Sequence, residues 1–268
     1  MGVTPLTGTA AGVPYVAVPP EGGARPDAPV VLAWHLMDPP RTERAFAAAL
    51  PMAGLEAWRV YLGLPMTGAR LPEGGMEAVM ALGFDDAVLN LYGPIASAAV
   101  EELPPALEEL RSRLDLSGPV GLMGGSMGAA VAGLVLAETD LVVQACVLVS
   151  PLVQLRPLVD AISEQYGTTY AWSVPSLAVA ARLDLVARAG ELGGVPVLVA
   201  VGEQDDAAAV LAPARSLQSA LERAELVVVP GMAHALAEEP GTEPAPQTAA
   251  AAEVDRLAVS WFRRHLTG

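Results

Sequence analysis

Residues 119–133 read Pro-Val-Gly-Leu-Met-Gly-Gly-Ser-Met-Gly-Ala-Ala-Val-Ala-Gly, an apolar run joined to small residues by a glycine-rich turn. The apolar run predicts a buried strand, and the small residues after it predict a helix. The turn Gly124–Gly128 fits the G-x-S-x-G elbow, in which glycines flank a serine because a Cβ would collide with neighbouring backbone. Ser126 is therefore predicted to stand at a helix N-terminus, where free N–H groups and the helix dipole can stabilise an oxyanion.

Strand and helix patterns alternate along most of the chain. Near-continuous apolar strands followed by helical stretches are typical of a mostly parallel sheet covered by helices on both faces. The sequence thus predicts an α/β fold with about eight strands, and residues 1–268 are interpreted as one domain. Within it, residues 63–95 are predicted to be irregular, since prolines and glycines interrupt any periodicity, and residues 151–192 are predicted to hold a small cap at most.

Composition excludes several classes of function. The formal net charge is −15, so the summed field repels nucleic acid and anionic lipid, and neither a nucleic-acid nor a membrane partner is expected. All fifteen basic residues are arginine, which excludes P-loop lysines, pyridoxal Schiff bases and serine-lysine dyads. Three scattered histidines and the single Cys146 offer no ligand cluster, so neither a metal nor a cofactor is expected. Cys146 lies in an apolar run and is predicted to be buried, and the N-terminus lacks an export signal, which predicts a cytoplasmic protein.

Two more polar groups follow apolar strands, where open α/β sheets place their sites. Gly202-Glu-Gln-Asp205-Asp206 comes after one strand, and Gly231-Met-Ala-His234 comes after the next. The chain order is therefore serine, aspartate, histidine, which is the order of the α/β-hydrolases and differs from that of the chymotrypsin and subtilisin folds.

On these three motifs the sequence resembles the α/β-hydrolase superfamily, nearest to compact bacterial esterase-like and prolyl-oligopeptidase-like members. The resemblance covers nearly the whole chain in the order of its elements. It implies Ser126 as the nucleophile, His234 as the general base and then acid, and Asp205 as the carboxylate that orients the imidazole. Asp206 remains the rival acid, and Asp205 is preferred because the family's carboxylate falls three residues after the glycine that ends the strand.

The resemblance also implies an oxyanion hole, and here the sequence departs from the family. Relatives commonly carry His-Gly at the end of the first buried parallel strand, whereas this chain has His35-Leu36-Met37. A leucine would be strained at any positive φ that glycine could adopt. The N–H of Met127 is expected to hold the oxyanion together with the N–H of Met37, or failing that of Leu36. His35 itself is expected to bond to backbone beneath the site, and His265 to be a solvated surface residue.

The resemblance implies a serine hydrolase that cleaves carboxylic esters through an acyl-enzyme. A thioesterase, lactonase, acyltransferase or small-peptide hydrolase would use the same triad, and a non-catalytic binding protein on this scaffold is the alternative from another class. The expected partner is a small acyl substrate with apolar groups. Candidate pocket walls are apolar and flexible; they are Leu36, Met37, Met66, Met76, Met127, Tyr166, Tyr170 and Trp172. The sequence makes no prediction of the oligomeric state.

Overall fold

The computed structural model describes residues 4–266, and its centre is a sheet of eight strands. Four of its strands are buried at every position, because successive side chains point to opposite faces and both faces are covered. The strands are β1 (Leu6–Ala10), β2 (Val13–Val18), β3 (Val30–Trp34), β4 (Trp58–Leu62), β5 (Val120–Gly125), β6 (Val143–Val149), β7 (Val197–Gly202) and β8 (Ala224–Val229).

The strand order across the sheet is β1-β2-β4-β3-β5-β6-β7-β8. β2 runs antiparallel to both β1 and β4, and every other neighbouring pair is parallel. The predicted mostly parallel sheet of about eight strands is therefore confirmed. β5 lies at its centre between β3 and β6, so the elbow begins at the middle of the carboxyl edge.

Helices cover both faces of the sheet and bury a separate core on each. In β3, Val30 and Leu32 face one core while Val31 and Ala33 face the other, as period-2 alternation requires. Residues of α1 and α8 fill the second core, whereas those of α3, α4 and α7 fill the first. The helices are α1 (Glu43–Ala49), α2 (Gly75–Asp86), α3 (Gly93–Leu114), α4 (Met127–Glu138), α5 (Leu155–Gln165), α6 (Val174–Arg182), α7 (Ala212–Ala220) and α8 (Ala249–His265).

The expectation of an irregular segment over residues 63–95 is wrong for most of that range. Only residues 63–74 lack a regular helix or strand beyond one 3-10 turn at Gly68–Arg70; α2 then begins, and a π-helical turn, Ala87–Tyr92, leads directly into α3. Within α2, which the structure describes completely, only Val79 is buried. A helix that buries one side chain leaves no apolar stripe in its sequence, and this is why periodicity missed it.

The range 151–192 contains two helices, α5 and α6. α5 buries Leu155 and Val159, and Tyr166, the C-cap that follows it, is exposed. Along residues 4–266, no helix is both long enough and apolar enough to cross a membrane.

Candidate active site

Ser126 occupies a strained turn between β5 and α4. Its backbone has φ 47° and ψ −113°, a region that residues with a Cβ rarely adopt and that costs about 1–3 kcal/mol. Two backbone hydrogen bonds hold it there: its N–H donates to the carbonyl of Val149 at 2.9 Å, and its carbonyl accepts from the N–H of Leu152 at 3.2 Å. The turn therefore presents the serine side chain at the first turn of α4.

The spacing of the elbow glycines follows from close backbone contacts. A Cβ on Gly124 would lie 2.1 Å from the carbonyl oxygen of Gly128, and a Cβ on Gly128 would lie 2.3 Å from that of Trp34. Because both obstacles are backbone atoms, no side-chain movement could relieve them. Glycine is thus required on each side of Ser126 for α4 to pack against β3 and β5.

The structure brings Ser126, His234 and Asp205 into one chain of hydrogen bonds. The Nε2 atom of His234 lies 2.9 Å from Oγ of Ser126, and its Nδ1 atom lies 3.0 and 3.1 Å from the two carboxylate oxygens of Asp205. An ionised carboxylate can only accept, so Nδ1 carries the proton of the neutral imidazole and Nε2 is free to accept from the serine hydroxyl. This tautomer is the one that a general base needs.

The neighbouring aspartates point in different directions. The side chain of Asp205 is 2% exposed and contacts His234, whereas one carboxylate oxygen of Asp206 accepts from the N–H groups of Ala208 and Ala209 at 2.8 and 2.7 Å. Asp206 therefore caps the helical turn that follows β7. Of the two candidates that the sequence left open, only Asp205 contacts the imidazole.

The loops after β7 and β8 hold each other in place. Gln204 donates its N–H to the carbonyl of Met232 at 2.9 Å, and Glu203 accepts from the N–H of Gly231 at 3.0 Å. A Cβ on Gly202 would lie 2.3 Å from the carbonyl oxygen of Met232. These contacts fix the loop that carries Asp205 against the loop that carries His234. None of them involves the side chain of Asp205 or His234.

The strain expected at Leu36 is absent. Neither Leu36 nor Met37 has a positive φ, and the Leu36 side chain is fully buried. It fills the space beside Gly125, where an added Cβ would lie 2.4 Å from Cδ1 of Leu36. Gly125, which has no side chain, thus makes room for the Leu36 side chain.

The two expected oxyanion donors lie beside the serine. Met37 and Met127 both line a cavity of about 440 Å³ with Ser126. The N–H of Met127 belongs to the first turn of α4, where no intrahelical acceptor exists, and within residues 4–266 the N–H of Met37 makes no hydrogen bond. Leu36, the alternative donor, is buried beneath the loop and does not line the cavity.

The cavity is formed largely by parts of the chain that the sequence did not point to. Apolar side chains of α5 and of the turn after β7 form one wall, and Tyr92 adds an aromatic ring. Of the pocket walls predicted from the sequence, Met37 and Met127 line this cavity, and Met66 and Met76 line an adjacent one of about 310 Å³. The lining that the sequence missed includes Asp38, Tyr92, Leu158, Ile162, Gln165 and Val210.

Among the lining residues that the sequence analysis did not predict, Asp38 is the one whose side chain lies beside His234. Its carboxylate lies 3.6 Å from Nε2 of His234 and is 55% exposed. Burial by itself lowers the pKa of His234, but the hydrogen bond and charge of Asp205, together with the charge of Asp38, outweigh it and raise the pKa above the ordinary 6.5. Asp38 lies in the loop after β3 and carries no motif signal in the sequence.

The other two histidines and the cysteine lie outside this chain of hydrogen bonds. Nδ1 of His35 donates to the carbonyl of Leu36 at 2.6 Å while Nε2 accepts from the N–H of Leu64 at 3.1 Å, and burial lowers the pKa of His35 to about 4. His35 is thus a neutral side chain bonded to backbone, as expected. His265 was expected to be solvated, but it is partly buried against Trp261, with ring centroids 4.3 Å apart. Cys146 is buried as predicted, and burial raises the pKa of its thiol to about 12.

Among the described residues, no cluster of three or more histidine, cysteine or carboxylate side chains could hold a metal ion. The cavity likewise contains no arginine in its lining. The arrangement can activate the hydroxyl of Ser126 as a nucleophile, because the buried carboxylate of Asp205 holds His234 in the tautomer that accepts the hydroxyl proton.

Neither a protein-family model nor a curated protein sequence matches this chain, but solved structures do. A Thermus thermophilus protein is 22% identical with a TM-score of 0.66, covering 98% of both chains. A dienelactone hydrolase from Anabaena variabilis is 22% identical with a TM-score of 0.56, covering 98% of this chain and 99% of its own. A cold-adapted esterase from an Arctic intertidal metagenomic library is 19% identical with a TM-score of 0.61, covering 98% and 93%.

Proposed function

We propose that this chain, which has the α/β-hydrolase fold, is a serine hydrolase that cleaves carboxylic esters through an acyl-enzyme on Ser126. The observation that carries the proposal is the continuous chain of hydrogen bonds from Asp205 through His234 to Oγ of Ser126. A lone serine at a helix N-terminus is an ordinary cap. A serine hydroxyl bonded to an imidazole that is itself oriented by a buried carboxylate is the arrangement that activates a nucleophile.

In the first half-reaction, Nε2 of His234 takes the proton of the Ser126 hydroxyl while Oγ attacks the ester carbonyl carbon. The carbonyl oxygen becomes an oxyanion and accepts hydrogen bonds from the N–H groups of Met127 and Met37. The tetrahedral intermediate then collapses: the bond to the leaving oxygen breaks, and the imidazolium gives its proton to that oxygen. Asp205 stays ionised and stabilises the imidazolium throughout.

In the second half-reaction, His234 removes a proton from water, and the resulting hydroxide attacks the acyl carbon. Collapse of the second tetrahedral intermediate breaks the bond to Oγ, which recovers its proton from the imidazolium. The carboxylic acid is released and the resting state returns. None of these reaction steps needs a metal or an organic cofactor.

Two observations support an ester as the substrate. The cavity beside Ser126 has about 440 Å³ of space and is walled mostly by apolar side chains, which suits a small neutral acyl group. Two proteins of similar fold are described as an esterase and a dienelactone hydrolase. The second description makes a lactone, which is an internal ester, the second candidate substrate for the same triad.

The proposal is tested by activity-based labelling beside a panel of acyl substrates. A fluorophosphonate should label the folded protein at Ser126, as located by mass spectrometry of the labelled peptide. p-Nitrophenyl esters should be hydrolysed faster than matched lactones, acyl thioesters or aminoacyl amides. Absence of labelling in folded protein would favour a non-catalytic binding protein, and a faster rate on another member of the panel would reassign the substrate class.

The proposed mechanism predicts an activity that falls at acidic pH. Only neutral His234 can accept the serine proton, so kcat/KM should decrease as the imidazole becomes protonated. Because Asp205 and Asp38 raise the pKa of His234, the midpoint of the acidic limb should lie above pH 6.5 rather than below it. A pH profile of kcat/KM for a neutral ester measures this midpoint. A flat profile between pH 5 and 8 would contradict the role of His234.

A further inference from the structure

We infer that Asp38 makes this site selective for esters whose leaving group carries a cationic nitrogen, such as a quaternary ammonium. The inference rests on the proposed function, and it adds the charge of the substrate and the part of it that is recognised. It depends on three features of the described residues: the position of the Asp38 carboxylate, the charges of the cavity, and the aromatic ring of Tyr92.

The position of Asp38 places it on the leaving-group side of the reaction. Its carboxylate lies 3.6 Å from Nε2 of His234, and Oγ of Ser126 lies 2.9 Å from the same nitrogen. In ester cleavage, that nitrogen must also protonate the leaving oxygen. The leaving group therefore passes within reach of Asp38, whichever acyl group occupies the rest of the cavity.

The charges that line the cavity disfavour an anionic substrate. Three carboxylates line it: Asp205 is paired with His234, Asp206 caps the following helical turn, and Asp38 is the third. The lining includes no arginine, and the chain has no lysine. Along residues 4–266, His234 is the one basic group within 4 Å of the Asp38 carboxylate. No arginine among these residues therefore forms an ion pair with the Asp38 carboxylate.

With a neutral substrate, the Asp38 carboxylate has two opposite effects on the transition state. It stabilises the imidazolium of His234, whose pKa it raises, and it opposes the negative charge that develops on the carbonyl oxygen. A cationic leaving group offsets this repulsion and gains an attraction of its own to Asp38. The placement of Asp38 thus favours a cationic substrate over a neutral one of the same shape.

Tyr92 adds a second group suited to a cation. It is partly buried in the same cavity, and burial together with the charge of Asp38 raises the pKa of its phenol to about 12. The ring is uncharged at neutral pH and lines the same cavity as Asp38. Aromatic rings attract quaternary ammonium groups through their quadrupole, so a ring and a carboxylate on one cavity can recognise such a group together.

The test compares two substrates that differ only in charge. Butyrylcholine and 3,3-dimethylbutyl butyrate have nearly the same shape, because a carbon replaces the ammonium nitrogen. For the unmodified protein, kcat/KM should be about tenfold higher for butyrylcholine. About fivefold of this ratio is expected from Asp38, since a partly exposed ion pair contributes up to about 1 kcal/mol, and the remainder comes from the inductive effect of the ammonium on the ester. Asp38→Asn should lower this ratio about fivefold, Asp38→Glu should preserve most of it, and 1 M salt should reduce it.

Glu164→Gln provides the matched control. Glu164 is an exposed residue of α5 that does not line the cavity, so this change removes the same charge from the protein without altering the site. It should leave the substrate ratio as it is. If Glu164→Gln lowered the ratio as much as Asp38→Asn, the preference would come from the overall negative field, and the inference would be wrong.

The other outcomes separate this inference from the proposed function. Hydrolysis of the neutral ester with no preference for butyrylcholine, or with a preference that Asp38→Asn does not lower, would overturn the role of Asp38 and leave the serine hydrolase intact. Failure to hydrolyse either ester, with no fluorophosphonate labelling of Ser126, would overturn the proposed function and the inference with it.

Discussion

Replacing Ser126 by alanine is expected to lower kcat for the best ester substrate by about 10⁴ to 10⁶, as losses of a triad nucleophile do. The reason is geometric: Oγ is the atom bonded to Nε2 of His234 at 2.9 Å, and no other hydroxyl among the residues lining the cavity contacts that nitrogen. Residual hydrolysis should reflect only the oxyanion donors and the positioning of the substrate.

The fold should survive this change. Alanine keeps the Cβ of residue 126 in the same strained turn, and the backbone bonds to Val149 and Leu152 do not involve the side chain. Single-turnover kinetics measure the loss, and thermal unfolding checks the fold. Ser219→Ala, which removes an exposed hydroxyl on α7, is the matched control and should retain full activity. Ester hydrolysis by a folded Ser126→Ala protein above about 1% of the original rate would mean that another group is the nucleophile.

Replacing Asp205 by asparagine is expected to lower kcat by about 10⁴, whereas the same change at Asp206 should cost less than about tenfold. An asparagine amide at position 205 can donate to Nδ1 of His234, which then gives up its own proton to Nε2. The imidazole would hold the wrong tautomer and could not accept from Ser126. At position 206, an asparagine oxygen can still accept from the N–H groups of Ala208 and Ala209, because asparagine is as good an N-cap as aspartate.

These two variants control for each other, since they make the same chemical change at adjacent positions. The pair of kcat values for one neutral ester is the measurement, with thermal unfolding run on both proteins. Equal losses, or a larger loss at Asp206, would show that Asp205 is not the acid that orients His234. Asp206→Asn should leave the Tm unchanged, because asparagine keeps the cap of the helical turn.

Residues 63–95 and the cavity lining show where sequence reasoning fails. The hydrophobic periodicity of the sequence did not predict α2, because this helix buries only Val79 and so has no apolar stripe. The groups that line the cavity with Ser126 come from α5, from the loop after β3 and from Tyr92 before α3. Each is an ordinary residue in its local sequence. Only the packing of these distant elements makes them neighbours, so no local pattern could have identified them.

The sequence by itself determined the α/β fold class, the strands at the centre of the sheet and the elbow at Ser126. An apolar strand shows in its own residues, and Gly124 is required by a backbone contact with Gly128 inside the same turn. The need for glycine at 128 also involves Trp34 of β3, but the G-x-S-x-G spacing by itself identifies the turn. The sequence also identified His234 and a pair of candidate aspartates, because they follow Ser126 in the chain order serine, aspartate, histidine. Only the tertiary structure determined which side chains meet at the site, because a local sequence pattern does not specify the direction of a side chain or its long-range contacts. It turned Asp205 toward the imidazole and Asp206 toward its helical turn, fitted Leu36 into the space left by Gly125, and placed Asp38 beside His234.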